Sequence, residues 1–409
     1  MEEIDIIKIS INKEDYFEIK GKLNKQSKRL LFDISFEMFE KIFGEEIHKL
    51  LLLDINVFER KSKNIYLLDE YGIYYSCIDC IWSVHSKSVV SFSLEAVNLI
   101  LEGIITDTLD TLEFNKITFK TCYLGYPIHS CYIRDFSSNY DSTKKIKIRV
   151  YRDTNFCIDF SVESKKSYNY KKLSKIIYTI IEMVMLLWGD IPNINEIVAS
   201  NAEKEIKIYY NLVEKYNPVK KKRLGKEILG NITEETINKD NIKKFLKFRK
   251  DTKIIYDLYM INVNSSGYVE VKNCNLIQML EGLHRSIYNT SDNLRCILNY
   301  FFDYSKSSRI LLTRRDKRKI KDPNTTRVFI YKANNHRNYL SHLNSNQNKN
   351  VFYKKENNYA YWKLCMCIRL FILEYLNISY DKEAVKEYVN DIEVWTKKNK
   401  LRFSSKVNK

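Results

Sequence analysis

The stretch FCIDFSVESKKSYNYKKLSKIIYTIIEMVMLLWGDIP, residues 156–192, changes its hydrophobic period midway, and that change decides the fold class. Up to Val162 the apolar residues alternate. Phe156, Ile158, Phe160 and Val162 are separated by Cys157, Asp159 and Ser161, and a period of two puts every apolar side chain on one face of a strand. Beyond Tyr168 the spacing becomes helical. Leu173, Ile176/Ile177, Ile180/Ile181, Val184 and Leu187 fall on one stripe until Gly189-Asp190-Ile191-Pro192 stops the run. The chain passes here from sheet to helix.

Upstream the strand signals continue. Ile146, Ile148 and Val150 alternate with lysines and Arg149, and Arg152-Asp153-Thr154-Asn155 supplies the turn of a hairpin into residues 156–162. Ile117, Phe119 and Thr121 alternate in the same way, and Leu50–Phe58 and Ile73–Trp82 are further strand candidates. A stretch near Leu94–Ile104 reads as a short helix within this layer. One apolar and one wet face per strand is the pattern of antiparallel sheets packed as a sandwich.

Downstream, Glu203–Tyr210 reads as one more short strand, and Asn217-Pro218 with Lys220-Lys221-Lys222-Arg223 reads as a linker. Four amphipathic stripes follow: Leu276/Leu280/Leu283/Ile287, Leu294/Ile297/Phe301, Tyr361/Leu364/Ile368/Phe371/Tyr375 and Val385/Tyr388/Ile392/Trp395. Short loops between most of them imply antiparallel packing. The expectation is an α+β chain. Residues 1–195 form an antiparallel β-sandwich-like domain, 196–234 connect, and 235–409 form an all-α bundle.

Composition limits the function classes. The 409 residues carry 68 Lys+Arg against 51 Asp+Glu, a formal charge of +17, which makes a polyanionic partner plausible. Lys, Asn, Ile and Tyr are all abundant, so part of that charge is compositional background. The acidic start, Met1-Glu2-Glu3-Ile4-Asp5, has no signal-peptide character, and the most apolar run, Ile176–Trp188, is too short for a bilayer and contains Glu182. Nine cysteines without a leader fit reduced thiols and a cytoplasmic location. Cys77-Ile78-Asp79-Cys80 resembles half a zinc site, but a strand points thiols three apart to opposite faces and no second CxxC follows. Glycine-rich phosphate loops, HExxH and GxSxG are absent from the sequence.

The charge concentrates in one place. Between Phe302 and Asn334 lie Arg309, Arg314, Arg315, Lys317, Arg318, Lys319, Lys321, Arg327 and Lys332, opposed only by Asp303, Asp316 and Asp322. Arg314, Arg315, Arg318 and Arg327 are the candidate RNA contacts. The segment runs into Asn335-His336-Arg337-Asn338-Tyr339-Leu340-Ser341-His342. Arg337 and His342 form an R-x4-H pair with the chemistry a metal-free ribonuclease needs. RNA carries its own nucleophile, the 2′-hydroxyl. The protein must move protons, which a histidine does near neutral pH, and hold phosphate charge, which a guanidinium fork does. Asn338 adds an amide that could orient phosphate or the histidine. Five residues on an ideal helix, however, mean roughly 140° of rotation. Convergence then needs a helix start, a π-type bulge or a second protomer.

A second cluster, Glu281, His284 and Arg285, occupies positions i, i+3 and i+4 of one helix. It reads either as an intrahelical Glu281–Arg285 ion pair or as a support that orients His342.

The run Leu280-Glu281-Gly282-Leu283-His284-Arg285, then a helix, then Arg337-Asn338-Tyr339-Leu340-Ser341-His342, then the apolar helix Tyr361–Leu376, resembles the ApeA-like branch of the HEPN superfamily. That branch shows an LE-x-x-HR-like helix and an RN-x-x-x-H motif opening a later helix of a four- or five-helix bundle. The resemblance covers roughly residues 235–400. The first half resembles the accompanying N-terminal domain in its order of elements. The resemblance implies a metal- and cofactor-independent endoribonuclease that acts as a homodimer in bacterial anti-phage defence, cleaving host or phage RNA. By it, Arg337 binds the scissile phosphate, Asn338 is the polar residue after it, and His342 is the acid/base. It leaves room for a phage-derived trigger acting on the N-terminal domain, with no membrane involved. The competing expectation is a non-catalytic RNA- or partner-binding module that uses the bundle as a dimerisation scaffold.

Overall fold

A computed structural model describes residues 3–25, 29–33, 37, 41, 63–84, 91–122, 135–141, 146–152, 157–189, 193–210, 228–264, 267–313, 315–317, 327–342 and 351–399. The chain packs as two compact units. One comprises Met1–Cys122, Asn139–Ile177 and Ile194–Leu212; the other comprises Tyr123–Ser138, Tyr178–Asn193 and Val213–Lys409. The candidate strand Leu50–Phe58 lies outside the described residues.

Antiparallel pairing builds the first unit. The strands are β1 (Glu3–Ser10), β2 (Phe17–Asn24), β3 (Arg29–Asp33), β4 (Lys63–Asp69), β5 (Tyr74–Val84), β6 (Ser91–Glu102), β7 (Glu113–Cys122), β8 (Phe136–Asp141), β9 (Ile146–Arg152), β10 (Cys157–Asn169), β11 (Asn193–Ser200) and β12 (Glu205–Tyr210). They join in one sheet in the order β3-β2-β1-β4-β5-β6-β12-β11-β7-β10-β9-β8, and β3 also pairs with β6. That extra pairing closes the first six strands into a ring. The expected two-layer sandwich is therefore replaced by a single sheet that curls on itself at one end.

The stretch Leu94–Ile104, read as a short helix, falls mostly within β6, the strand that makes the closure. β6 pairs with β3 through Ser91–Glu95 and with β12 through Leu99–Glu102, while β5 runs along its other edge. A closed ring leaves no unpaired strand edge. Its interior holds Ile6, Ile9, Ile19, Leu23, Leu30, Ile65, Leu67, Tyr75, Cys77, Cys80 and Ile100.

The two cysteines depart from strand alternation for a local reason. Asp79 takes φ +55° and the β5–β6 register shifts between Ile78 and Cys80. A bulge inserts one residue, so Cys77 and Cys80 both face the interior, with the Cys80 thiol 3.4 Å from the Cys77 carbonyl. Burial pushes the Cys80 thiol well above its ordinary range. Among the described residues, no group of three or more His, Cys, Asp or Glu is placed to hold a metal ion.

The period change at residue 168 is real in three dimensions. β10 runs into α1 (Tyr170–Trp188), whose start is capped by the Asn169 side chain accepting from Lys172 N–H at 3.1 Å. Gly189 ends it at φ +73°, a backbone conformation that disfavours any side chain. Its second half, from Tyr178, belongs to the helical unit, and β12, within the segment read as a connector, belongs to the sheet unit.

The helical unit continues with α2 (Lys239–Asp251), α3 (Lys253–Asn264), α4 (Val269–Tyr288), α5 (Leu294–Asn299), a π-turn at Tyr300–Tyr304, a 3-10 turn at Arg309–Leu311, α6 (Val328–His342), α7 (Lys355–Tyr375) and α8 (Lys382–Lys398). α4 packs against α3, α5, α6 and α7. Where α4 packs on α3, Gly282 leaves room for Ile255; a Cβ there would sit 3.2 Å from that side chain. α7 is buried on almost every side. Its fully buried Arg369 donates to the Leu186 and Leu187 carbonyls at 2.8 and 3.0 Å, satisfying the acceptors left open at the end of α1. Among the described residues no helix is long and apolar enough to cross a membrane.

Candidate active site

The segment leading to α6 is fastened from within. Asp316 is fully buried and its carboxylate accepts from Thr313 N–H and Oγ1 at 2.9 Å, from the Tyr359 hydroxyl at 2.8 Å, and from the buried Lys363 ammonium. Lys363 also donates to the Leu311 carbonyl at 2.5 Å. The Asp316 carbonyl accepts from Val328 N–H at 2.9 Å, so the same residue ties down the first turn of α6. Arg327 forks onto Asp303 at 3.2 and 2.8 Å. Lys332 places its ammonium on both oxygens of Glu356, at 2.9 and 2.8 Å, inside the unit.

These contacts change the meaning of the basic segment. Arg327, an expected RNA contact, has its fork filled by a carboxylate, and Lys332 is buried. Arg315 is half-buried in the turn 315–317. Arg314 and Arg318 lie outside the described residues.

Along α6, Val328, Phe329, Ile330, Ala333 and His336 face the interior. His336 meets the Glu270 carbonyl at 3.0 Å through Nε2 and packs against Phe352. Burial lowers its pKa below the usual histidine value, and the contact with Glu270 opposes this only in part. Its role is to seat the helix.

Arg337, one residue on, points to α4. Its Nη2 donates to Glu281 Oε2 at 3.2 Å, its Nη1 donates to the Asn338 side chain at 3.3 Å, and its buried Nε has no acceptor among the described residues. Glu281 is itself buried and its other oxygen pairs with Arg285 at 2.8 Å. One turn further along α6, Ser341 Oγ meets the Gln278 amide at 3.4 Å and the Cys274 thiol at 4.0 Å. Burial raises the Cys274 pKa, and the nearby Arg337 charge opposes that rise. The site is a seam between two stripes: Cys274, Gln278, Glu281 and Arg285 on α4 are spaced i, i+4, i+7 and i+11, against Arg337 and Ser341 at i and i+4 on α6.

The remaining sequence-predicted residues divide. Glu281 and Arg285 join Arg337 and Asn338. His284 turns elsewhere, with Nδ1 3.2 Å from Thr290 Oγ1 and its ring among Tyr288, Tyr300 and Phe301. Burial lowers its pKa. His342 is the last described residue of α6, and its side chain lies outside the described part. The motif therefore lies in the second half of the described span of α6, well after its start at Val328, rather than opening it. α6 is α-helical from Val328 to His342, so neither a helix start nor a π-bulge brings Arg337 and His342 onto one face.

Sequence reading missed the buried charges Asp316, Lys363 and Arg369. The signal was available: Lys363 and Arg369 interrupt the apolar stripe Tyr361–Tyr375 of a helix that is buried on almost every side, where a charge survives only with partners. A cleft of about 520 Å³ lies elsewhere in the helical unit. It is lined by Glu235, Asp381, Glu383 and Glu387 and has the wrong charge for a phosphate chain. In comparisons with known proteins the chain matches no family model, no curated protein and no solved structure.

Proposed function

We propose that the chain is a metal-independent endoribonuclease of the HEPN type, with its active centre at the α4–α6 seam. One observation carries the reading. Two sequence clusters 56 residues apart, one around Glu281 and one around Arg337, meet in a direct ion pair. Arg337 and Asn338 supply donors for the phosphate as charge builds on its oxygens. His342 takes the 2′-hydroxyl proton or protonates the leaving 5′ oxygen, and the product carries a 2′,3′-cyclic phosphate. Because Arg337 and His342 lie about 140° apart on a regular helix, the working centre draws on two copies, each giving an Arg337–His342 pair to one cleft. Arg314, Arg315 and Arg318 extend the RNA path, while Arg327 supports the segment through Asp303. The sheet unit is the receptor for an infection-derived trigger in an anti-phage response.

Incubating the purified chain with RNA in EDTA, with and without infected-cell extract to supply the trigger, beside Arg337→Ala and His342→Ala, tests this. Cleavage by the wild type that both substitutions abolish is the expected result. Equal cleavage by all three removes the assignment.

A further inference from the structure

The Arg337 guanidinium is already engaged, and the way it is engaged has a functional consequence. A phosphodiester is held best when two parallel N–H donors of one guanidinium meet two oxygens. On the Nε/Nη2 edge of Arg337, Nη2 carries a single contact to Glu281 and Nε faces no acceptor among the described residues. Glu281 thus half-fills the edge a phosphate would fill completely. It divides its oxygens unequally, with the shorter contact, 2.8 Å, to Arg285 and the longer, 3.2 Å, to Arg337. Arg285 is half-exposed and follows Glu281 by one helical turn, so the carboxylate can leave Arg337 without losing its other partner.

We propose that Glu281 is an internal stand-in for phosphate, a latch that occupies Arg337 until a phosphodiester displaces it onto Arg285. The proposal deepens the ribonuclease reading and rests on it for the identity of the ligand as an RNA backbone. The exchange trades one long monodentate contact for a bidentate one and leaves no buried carboxylate unpaired. It sets the affinity of the resting site for RNA well below what the free Arg337 fork would give.

The test measures binding of a fluorescent single-stranded 2′-O-methyl RNA, which lacks the attacking hydroxyl and is not cut. Glu281→Gln should bind it about tenfold tighter than the wild type, the effect of freeing one charge-assisted donor pair. Arg285→Gln should bind it several-fold more weakly, because Glu281 then belongs to Arg337 alone. Bulk charge would shift affinity with the same signs. Glu383→Gln and Lys386→Gln, at an exposed ion pair on α8, therefore calibrate that effect. In an Arg337→Ala background both site effects should fall to the level of these controls. Effects no larger than the controls, or effects that survive Arg337→Ala, overturn the latch. Arg285→Gln alters a half-exposed side chain, so it decides the matter even if Glu281→Gln does not fold. Cleavage of ordinary RNA is scored separately, with and without infected-cell extract: tighter binding by Glu281→Gln with no cleavage under either condition keeps the latch and removes the nuclease, while cleavage without the binding changes does the reverse.

Discussion

Lys363→Met should destabilise the helical unit by about 3–5 kcal/mol, the cost of stranding one partner of a buried ion pair. The geometry sets the size. Lys363 is fully enclosed, its side chain shows 0% exposure against 1% for Asp316, and methionine removes the only ammonium facing that carboxylate among the described residues. Thr313 and Tyr359 would still donate to Asp316, but neutral donors do not replace a charge. Burial lowers the Lys363 pKa even against the pull of Asp316, so desolvation outweighs attraction for this lysine. The double variant Lys363→Met/Asp316→Asn should then recover to within about 1 kcal/mol of the wild type, because both charges are gone and the amide oxygen still accepts from Thr313 and Tyr359. Three of the four tryptophans, Trp188, Trp362 and Trp395, belong to the helical unit, so fluorescence during urea unfolding reports mainly on it. A midpoint lowered by more than about 1 M in the single variant, restored in the double, is the expected result. A single variant within 1 kcal/mol of wild type would refute the assignment of Lys363 and Asp316 as a coupled pair. Since the Asp316 carbonyl also holds Val328 N–H, the single variant should loosen the first turn of α6 and speed amide exchange there.

Arg327→Ala should lower stability by about 1 kcal/mol while leaving the salt slope of RNA binding unchanged, because its fork is filled by Asp303; a slope reduced by about 0.7 would mean that it touches phosphate instead. The lowered pKa of His336 means that the unfolded chain binds its proton more readily, so His336 contributes stability present above about pH 6.5 and lost as pH falls toward its folded value. Unfolding midpoints at pH 7.5 and 5.5 should differ less in His336→Asn than in the wild type, and an equal difference would contradict this. Arg369→Met should cost about 1–3 kcal/mol by removing the donor to the Leu186 carbonyl, while the Leu187 carbonyl keeps the Leu229 N–H at 2.6 Å; urea unfolding unchanged from wild type would show that water serves the Leu186 carbonyl as well.

Much of the fold was legible because its elements follow simple periods. The hairpin at residues 146–162, the helix at Tyr170–Trp188 and the apolar stripes of α4, α7 and α8 all show in the spacing of their apolar residues. Where reading failed, a contact distant in sequence decided the outcome. Ser91–Glu102 is a strand because β3 and β5 both bond to it along its first half; its own residues, with Leu94, Leu99, Ile100 and Leu101 at helix-compatible spacing, do not show that. Likewise the interior positions of Cys77 and Cys80 depend on a single bulge at Asp79, which alternation has no means of reporting.

The site was legible in a different sense. The residue types were chosen before any contact was known, because phosphate chemistry calls for guanidinium, amide and imidazole in one neighbourhood. Their partners were not, because pairing between helices is invisible to periodicity. Glu281 was expected either to pair with Arg285 or to orient His342; it pairs with Arg285 and reaches Arg337 as well. The net charge of +17 loses weight by the same reasoning. Arg327 and Lys332, two of the cations that marked the segment, are neutralised by Asp303 and Glu356, so part of the apparent RNA path is internal scaffolding. What remains specific is Arg337, whose only carboxylate partner among the described residues holds it through one long contact. A site built only for stability would close that fork with a second hydrogen bond, and Glu281 spends that oxygen on Arg285 instead.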